Sequence, residues 1–456
     1  MNQNNRPRLY TFASSAKIQE DKYSMKRYVH FDNKVSFKNI KEKIMDPCWI
    51  AQHGFYPFIH FQIKFNKYIK KEIEGKRKKE KIREIFYASH VDSYIYKYYG
   101  DVLNHKYNET VDKLGINKVA TAYRNNLPGK SNIHFAKEVI DFISNQEKAF
   151  IYVADFTKFF DNIDHKYLKE RIRTVLEVET LPDDFYAVFK NITRFSWVEK
   201  GDIDEKLKVL YGDEIPNLER YFTEKEFREF KKSNIQKNIK SFGIPQGAGI
   251  SSVCSNIYLI DFDKMINDHV EKSGGLYRRY CDDLIIVIPI DDKDQFNYKY
   301  HMDFVEHIKN EIPNLDIQEE KTEQYYYDQN KILDMNHEPS VLDYLGFSFN
   351  GSDVKIREKS LFKYYSRAYK KVRICNRLTE RHVHNQKAQR RNLYKNYTHL
   401  GKKHKGHGNF ITYAYRAQRV FDKGSKTNNL MEHQVKNHWK KINARLQNNK
   451  DSKKKD

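Results

Sequence analysis

Two short apolar runs in the middle of the chain predict buried strands. The first, residues 151–154, ends at Asp155, and the second, residues 284–288, directly follows Asp282 and Asp283. Short continuous apolar runs are typical of strands in a protein core. The polar stretch just before the paired aspartates and the apolar run just after them predict a tight hairpin with two carboxylates at its tip.

Several other segments have the spacing or the start signals of helices. Residues 94–99 and 133–137 are predicted to be helical, and a helix is predicted to begin at Ser251 or Ser252. Within a charged insertion at residues 200–240, the stretch 221–227 has the residues of a capped surface helix. Helical spacing also recurs in the C-terminal part, at Phe362, Tyr365, Tyr369 and Val372.

The three aspartates point to metal chemistry. Like charges as close as Asp282 and Asp283 repel each other, and ordering them together costs free energy unless a cation lies between them. If the two buried strands pair, Asp155 comes beside Asp282, and carboxylates from two elements provide the hard oxygen ligands of a two-metal phosphoryl-transfer site. A lone pair of aspartates is usually a solvated turn, so the order of the surrounding motifs decides between the two interpretations.

A glycine-rich loop lies between the two acidic strands in the sequence. Residues 243–249 contain three glycines and Pro245, which favour a turn that brings bare backbone close to a ligand. Such a loop is weak evidence when it stands alone. Its position between two acidic strand ends makes it strong evidence for a functional site.

In this order the motifs resemble those of the reverse transcriptases, most closely the bacterial enzymes of retrons, group II introns and phage defence. The likeness spans residues 75–350 and is carried by Asp155 with Phe160, residues 245–256, residues 280–283, residues 320–322 and, as the hairpin that grips the primer, residues 342–347. Many relatives have alanine where Cys281 stands and proline where Ser252 stands. Both differences are small and should leave a metal site intact.

The resemblance implies an α+β fold of the right-hand polymerase type, in which the palm is an antiparallel sheet packed on helices. The implied parts are an N-terminal extension (1–60), fingers (61–150), a palm with the charged insertion (151–360), a helical basic thumb (361–450) and a disordered tail (451–456). A second basic cluster, residues 76–83, would belong to the fingers and contact the template. Plain helix surface is the alternative interpretation of its lysines.

The resemblance also assigns catalytic roles. Asp155, Asp282 and Asp283 would be catalytic and would bind two Mg²⁺ ions together with the backbone carbonyl of Phe156; Mn²⁺ can substitute. Phe160 would lie beneath the sugar of the incoming nucleotide. A ring there leaves no room for a 2′-hydroxyl, so deoxynucleotides would be preferred.

Further residues would bind the nucleotide. Gln246 and Gly247 would line the nucleotide pocket and contact the template base, and Lys321 would lie near the leaving pyrophosphate as a charge or a general acid. Arg124 could hold phosphate oxygens with two parallel hydrogen bonds. Lys130 is a weaker candidate, with ordinary surface charge as the alternative. The primer grip would be formed by Tyr344, Leu345 and Gly346.

The excess of positive charge is concentrated at the C-terminal end. The formal net charge is +22, and residues 361–456 contain 26 Lys and Arg against 5 Asp and Glu, whereas residues 1–360 contain 57 against 56. Aromatic residues are interleaved with these cations, a combination that suits nucleic acid better than a membrane surface. The candidate nucleic-acid-binding cations are Lys370, Lys371, Arg373, Arg390, Arg391, Lys402 and Lys403.

Two classes of protein are disfavoured by the composition. No apolar run approaches the roughly 20 residues that a membrane span needs, so no membrane partner is expected. The 4 cysteines are scattered, which does not favour a disulfide framework and agrees with a reducing cytoplasm.

We therefore expect an RNA-directed DNA polymerase that uses dNTPs and an RNA template. The resemblance further implies a structured non-coding RNA as template, a DNA product and a role in antiviral defence. Three alternatives stay open: an RNA-dependent RNA polymerase, against which Phe160 argues; a template-independent or protein-primed DNA polymerase of the abortive-infection type; and a catalytically silent RNA-binding scaffold. The sequence does not determine the oligomeric state.

Overall fold

A computed structural model describes residues 19–73, 76–291, 296–381 and 386–451. The first helices are α1 (Phe37–Ile44), α2 (Pro47–Gln52), α3 (His90–Lys113) and α4 (Asn132–Ser144), and the first strands are β1 (Phe58–Ile73) and β2 (Lys76–Tyr87). Residues 1–18 of the predicted N-terminal extension and residues 452–456 of the predicted tail lie outside the described residues.

The central part alternates strands and helices. Its elements are β3 (Lys148–Asp155), α5 (Phe159–Asn162), α6 (His165–Leu176), α7 (Asp183–Thr193), β4 (Ser196–Glu199), α8 (Lys200–Tyr211), α9 (Glu224–Asn234), β5 (Gln236–Lys237), α10 (Ser251–Tyr258), α11 (Ile260–Lys272), β6 (Leu276–Tyr280), β7 (Asp283–Pro289), α12 (Tyr298–Glu311), β8 (Glu323–Asp328) and β9 (Lys331–Leu333). The C-terminal elements are β10 (Leu342–Tyr344), β11 (Phe347–Phe349), β12 (Asp353–Ile356), α13 (Glu358–Glu380), α14 (Gln386–Tyr397), α15 (Phe410–Phe421), β13 (Asn428–Asn429), α16 (Met431–Val435) and α17 (His438–Asp451). No helix in the described ranges is both long enough and apolar enough to cross a membrane.

The two buried strands predicted from the sequence are neighbours in a five-stranded antiparallel sheet. The strand order is β6-β7-β3-β8-β9, and β3 pairs with β7 so that Asp155 lies opposite Asp283. β6 and β7 form the predicted hairpin, with Tyr280 opposite Asp283. The predicted pairing of the two strands is therefore confirmed.

Both faces of this sheet are covered, because alternate side chains of a strand point to opposite faces. Phe150 and Ile286 pack on one face in a core shared with α10, α11 and α12. Ile151 and Ile285 pack on the other face against α4 and the small sheet of β10, β11 and β12. An antiparallel sheet packed on helices confirms the predicted α+β class.

The basic cluster at residues 76–83 lies on a strand, and the interpretation as helix surface was wrong. β1 and β2 form a long antiparallel hairpin at the edge of a sheet with the order β2-β1-β4-β5. The hairpin starts inside the predicted N-terminal extension, at Phe58. In contrast, the predicted capped helix is confirmed as α9, where Thr223 and Glu226 form a capping box.

Three C-terminal helices, α13, α14 and α17, pack around a small core of their own. The predicted helix is confirmed as α13, and the residues that gave its helical spacing do not all share its buried face. Tyr364, Ala368, Val372 and Cys375 are buried, whereas Phe362 is 78% exposed. Tyrosine and lysine residues crowd both faces of this helix, so periodicity alone did not identify the side that packs.

Candidate active site

The turn between β6 and β7 presents the paired aspartates. Cys281 is buried and adopts a left-handed backbone with φ of 63°, which turns the chain sharply at the hairpin tip. The backbone N–H of Phe156 donates to the carbonyl oxygen of Asp282 at 3.2 Å. This bond ties the end of β3 to the turn, so Asp155 and the two hairpin aspartates share one edge of the sheet.

A buried arginine, Arg279, hydrogen-bonds to the turn and links it to two helices. Arg279 is fully buried and donates to both carboxylate oxygens of Asp263, with Nη2–Oδ2 and Nε–Oδ1 distances of 2.6 and 2.8 Å. Its Nη1 also donates to the carbonyl oxygen of Cys281 at 2.8 Å and to Oδ1 of Asn256 at 3.2 Å. The β6–β7 turn is therefore fixed to helices α10 and α11. Sequence reasoning missed this arginine, although a charged residue beside an apolar strand was a usable signal.

The carboxylates act on each other electrostatically. Partial burial, followed by the charges of Asp282 and Asp155, raises the pKa of Asp283 to about 6. Burial also raises the pKa of Asp155, as does the charge of Asp282, while Lys321 opposes the shift. Groups that share negative charge in this way favour a cation among them.

Asp155 has the features of a cation ligand. Its Oδ2 accepts a hydrogen bond from Nζ of Lys321, and its Oδ1 is buried without a hydrogen-bond partner. An orphaned carboxylate oxygen beside two further carboxylates fits a hard divalent ion. In the ranges that the structure covers, no three His, Cys, Asp or Glu side chains converge as a finished metal cluster. The ammonium of Lys321 is the cation that neutralises Asp155 here.

The glycine-rich loop packs directly on the end of the β1–β2 hairpin. The N–H of Phe86 donates to the carbonyl oxygen of Gln246 at 3.1 Å. Gly247 has a φ of 122°, and a Cβ atom there would come within 2.3 Å of the carbonyl oxygen of Phe86. Only glycine fits such a close approach. The helix predicted to follow this loop is confirmed and begins at Ser251, whose hydroxyl donates to the carbonyl of Pro245 at 2.8 Å.

The same loop brings Gln246 to Phe160. The N–H of Ile244 donates to the carbonyl oxygen of Phe160 at 2.9 Å, and Nε2 of Gln246 contacts Oδ1 of Asp161 at 3.4 Å. Phe160 is half-buried, whereas its neighbour Phe159 is buried in the core. The structure thus separates the two phenylalanines, which sequence reasoning could not do.

The guanidinium of Arg124 is already hydrogen-bonded to other residues of the protein. Its guanidinium donates to Oδ1 of Asn108 at 2.5 Å, to Oδ1 of Asn117 at 2.5 Å, and to the carbonyl oxygens of Asn117 and Ala120 at 3.0 and 3.1 Å. These bonds hold the loop that follows α3. A phosphate clamp, as implied by the resemblance, would have to replace them. Lys130 lies in an exposed turn before α4.

Cations on β2 were missed as candidates for the site. Lys81 is exposed, yet it is close enough to lower the pKa of Asp155 electrostatically. Arg83 lies on the same face of the strand, with its guanidinium carbon 5.3 Å from the ring centre of Phe65. Lys79, Lys81 and Arg83 fall at every second position of the sequence, which is the period of a strand and was the available signal.

The predicted primer-grip hairpin is present as β10 and β11. Leu345 and Gly346 form its turn, with φ of 44° and 93°, and Nδ2 of Asn132 donates to the carbonyl of Leu345 at 2.9 Å. Tyr344 points into the core, where its hydroxyl is buried without a partner. Its ring therefore cannot grip a primer. Burial and the nearby charge of Asp283 raise the pKa of Tyr344.

The predicted thumb cations lie on neighbouring elements. Lys370, Lys371 and Arg373 are on α13, which packs against α14 with Arg390 and Arg391, and Lys402 and Lys403 are in the loop before α15. Most are exposed, but Lys371 donates to Gln389, and Nε of Arg390 is buried without a partner. The guanidinium carbon of Arg445, on α17, lies 3.8 Å from the ring centre of Tyr369.

Tyr123 is a further residue at the turn that the sequence did not identify. Its side chain is 47% exposed, its backbone is left-handed with φ of 60°, and it follows a loop that runs beside β6. Burial raises the pKa of its phenol, and the neighbouring Cys281 thiol and the charge of Asp282 add to this shift.

Solved structures that resemble the chain include telomerases of two Candida species. A C-terminally truncated apo telomerase from Candida tropicalis has 13% identity and a TM-score of 0.41, over 65% of this chain and 57% of that one. Candida albicans telomerase with a fragment of telomeric RNA has 13% identity and a TM-score of 0.39, over 86% of this chain and 64% of that one. Apo telomerase of Candida tropicalis has 11% identity and a TM-score of 0.41, over 85% of this chain and 60% of that one. The chain thus spans about three fifths of the length of these telomerases.

No curated protein sequence matches this chain. The family model described as "Reverse transcriptase (RNA-dependent DNA polymerase)" matches residues 102–349. That stretch is more than half of the chain and contains β3, the glycine-rich loop and the β6–β7 hairpin. The chain therefore belongs to the reverse transcriptase family, the RNA-dependent DNA polymerases with a right-hand fold.

Proposed function

We propose that this protein is an RNA-directed DNA polymerase that extends a primer by two-metal nucleotidyl transfer. The observation that carries the proposal is the meeting of Asp155, Asp282 and Asp283 at one edge of the sheet, with a buried unpartnered oxygen on Asp155. Two divalent cations, Mg²⁺ or Mn²⁺, would activate the primer hydroxyl and neutralise the leaving pyrophosphate when bound. Asp155 and Asp282 would hold both ions, with Asp283 and the carbonyl of Phe156 completing the ligands.

Residues of the chain would position the nucleotide around these ligands. Phe160 and Gln246, joined through the glycine-rich loop, form the wall against which the deoxyribose would rest. Lys321 neutralises Asp155 in the free protein, and its ammonium would serve the leaving pyrophosphate as a charge or a general acid. Lys81 and Arg83 on the fingers hairpin would contact the triphosphate, and Arg124 would support the site by holding its loop.

The basic C-terminal helices would hold the template–primer duplex, with the turn at Leu345 and Gly346 beside the primer strand. Exposed lysine and arginine side chains on α13 and α14 suit phosphate contacts that do not depend on sequence. We assign the fingers to residues 61–150, the palm to 151–360 and the thumb to 361–450 on this basis.

We also propose a structured non-coding RNA as the template and antiviral defence in the cytoplasm as the role. The support is the likeness of the motif series to retron and phage-defence enzymes. Sequencing of nucleic acid that co-purifies with the protein tests this. A single RNA species with complementary DNA is expected for the wild type, and the same RNA without DNA is expected for the variant with Asp282→Asn and Asp283→Asn.

Primer extension tests the chemistry itself. The wild type should extend a DNA primer on an RNA template with dNTPs and Mg²⁺, and should incorporate NTPs much more slowly. A preference for NTPs would support an RNA polymerase instead. If the double Asn variant kept the full biological effect, the silent-scaffold alternative would be correct.

One observation favours a second candidate, a protein-primed DNA polymerase. Tyr123 presents a half-exposed phenol beside the catalytic turn, where it could serve as the first acceptor of a nucleotide. DNA that stays attached to the protein until protease treatment would support this function. The attachment should be lost in Tyr123→Phe and kept in Tyr186→Phe, because Tyr186 is 45% exposed but lies on α7.

A further inference from the structure

A buried histidine lies between two carboxylates at the base of the β1–β2 hairpin. His60, on β1, is 8% exposed. Its Nδ1 lies 2.8 Å from Oε2 of Glu199, on β4, and its Nε2 lies 2.6 Å from Oε2 of Glu84, on β2. We call these three residues the histidine bridge. Because β1 lies between β2 and β4 in the sheet, the bridge joins the two outer strands across it.

Both ring nitrogens of His60 act as donors in this arrangement. An ionised carboxylate only accepts hydrogen bonds, and a neutral imidazole carries hydrogen on one nitrogen alone. The two contacts therefore need the imidazolium form, which places one positive charge between two negative ones. Each carboxylate has one further donor: Nε2 of Gln62 lies 3.2 Å from Oε1 of Glu84, and Nε1 of Trp197 lies 3.1 Å from Oε1 of Glu199. Without the imidazole, two negative charges would face each other here.

The bridge touches the residue on which the glycine-rich loop rests. His60 lies opposite Phe86 in the pairing of β1 with β2, and the two ring centres are 4.6 Å apart. The N–H of Phe86 donates to the carbonyl oxygen of Gln246, and a Cβ atom on Gly247 would collide with the carbonyl oxygen of Phe86. A tilt of β2 relative to β1 would therefore move the loop that carries Gln246.

A second link to the same loop runs through Glu84. Burial raises the pKa of the Asp161 carboxyl, and the charge of Glu84 makes a smaller contribution in the same direction. Glu84 is thus within electrostatic range of Asp161, whose Oδ1 lies 3.4 Å from Nε2 of Gln246. By pairing with Glu84, the imidazolium weakens the repulsion between these two carboxylates.

The bridge lies between the two groups of residues that the proposed function assigns to the nucleotide. Lys81 and Arg83 are exposed on β2, nearer the tip of the hairpin than Glu84. Gln246 lies at the other end, beside Phe86. A change in the angle of the hairpin at the bridge would move one group relative to the other.

We propose that His60 is a positioning residue for nucleotide selection. It fixes β2 against β4 and, through Phe86, keeps Gln246 in place against the base pair formed by the template and the incoming nucleotide. His60 itself would touch neither the substrate nor a metal ion. This inference rests on the proposed polymerase function, because that function gives Gln246 a nucleotide to contact.

Two substitutions separate the contacts of His60. The amide nitrogen of His60→Gln takes the place of Nε2 and can still donate to Glu84, whereas that of His60→Asn takes the place of Nδ1 and can donate only to Glu199. In primer extension, His60→Asn should raise KM for the correct dNTP by about 10-fold, with kcat changed less than about 2-fold. It should also lower discrimination against a mismatched dNTP by about 10-fold. His60→Gln should restore most of both quantities.

The matched control is His53→Asn, which removes the 2.8 Å contact between Nε2 of His53, directly after α2, and Oδ1 of Asp92 on α3. Both Asn variants lose a histidine–carboxylate contact, so both should lower Tm. Only His60→Asn should alter KM and discrimination. Unchanged KM and discrimination in His60→Asn, or the same changes in His53→Asn, would overturn the inference.

Hydrogen–deuterium exchange tests the link to the loop without catalysis. The amide of Phe86, which donates to Gln246, should exchange about 10-fold faster in His60→Asn than in the wild type and should be unchanged in His53→Asn. Equal exchange in His60→Asn and wild type would overturn the inference. Faster exchange in a protein whose wild type extends no primer would refute the polymerase function and leave the link between His60 and Gln246 intact. Normal extension by both wild type and His60→Asn would refute the inference alone.

Discussion

The β6–β7 hairpin, which carries the paired aspartates, and the β1–β2 hairpin are both antiparallel pairs, but they are stabilised by different contacts. The β6–β7 hairpin lies in a five-stranded sheet, and the buried Arg279 fixes its turn to α10 and α11. The β1–β2 hairpin carries exposed cations such as Lys81, and its base is held by Gln246 and β4. We therefore expect the three aspartates to be in position before any substrate arrives, and the cations of β2 to take their final positions on the substrate.

This difference predicts unequal effects of substitution. Substitutions in the β6–β7 hairpin should abolish primer extension or strongly lower the free energy of unfolding, because each of its polar groups has a fixed role within the protein. Changes in the basic elements should weaken binding gradually, since several cations share the phosphates.

The largest effect is expected for Asp282→Asn. Loss of one metal-binding carboxylate should lower primer extension by at least about 10³-fold and leave nucleic-acid binding unchanged. Single-turnover extension together with a binding titration measures both. Asp303→Asn, an exposed aspartate on α12, is the control and should keep full activity. Activity of the Asp282 variant within 10-fold of wild type would contradict the expected difference between the two hairpins.

Arg279→Met should cost about 3–5 kcal/mol of unfolding free energy, because it leaves Asp263 buried without its partner. Urea denaturation measures the loss. The matched control is Lys264→Met, which removes the more exposed ion pair with Asp268 on the same helix and should cost less than about 1 kcal/mol. Equal losses in both variants would show that the turn does not depend on the buried pair.

Phe160→Ala should reduce the preference for dNTPs over NTPs by about 10²-fold, because the ring no longer excludes the 2′-hydroxyl. Competition between matched dNTP and NTP pairs measures this preference. Removal of the exposed ring in Phe362→Ala should have no effect on it. An unchanged preference in the Phe160 variant would place the sugar elsewhere.

Lys81→Ala should raise KM for dNTPs by about 10-fold with little change in kcat, since other cations would still contact the triphosphate. Steady-state extension at varied dNTP concentration separates the two constants. A fall in activity as large as that of Asp282→Asn would mean that the fingers hairpin is as essential as the acidic turn, contrary to the comparison.

The smallest effect concerns pH. The pKa of Asp283 is raised to about 6, so its protonated form favours the folded state, and this contribution is lost as the pH rises through about 6. Metal-free protein should therefore melt at a lower temperature at about pH 7.5 than at about pH 5. Mg²⁺ needs the ionised carboxylates, so it should raise Tm more at the higher pH. Asp283→Asn should remove most of this pH dependence.

The palm was predictable because its signals are local. An apolar run that ends in aspartate fixes the strand, and the register then follows from burial, since a shift of one residue would turn the apolar set to the wrong face. Asp155 and the hairpin aspartates were therefore brought together correctly from the sequence.

The rest depends on contacts that no local pattern encodes. The strand at residues 76–87 is rich in lysine, and only its partner β1 makes it a strand. Arg124 looked available for phosphate, but residues of α3 and the following loop bind its guanidinium. Tyr344 was predicted to belong to the primer grip, but the small sheet turns its side chain inward.

The central claim is that Asp155, Asp282 and Asp283 hold two catalytic cations. Anomalous diffraction from the complex with Mn²⁺, an RNA–DNA template–primer and a non-hydrolysable dNTP tests it most directly. We predict two manganese peaks between Asp155 and the hairpin aspartates, with Lys321 moved from Asp155 toward the triphosphate. A bound nucleotide with no manganese at these carboxylates, and with Lys321 still paired to Asp155, would contradict the claim.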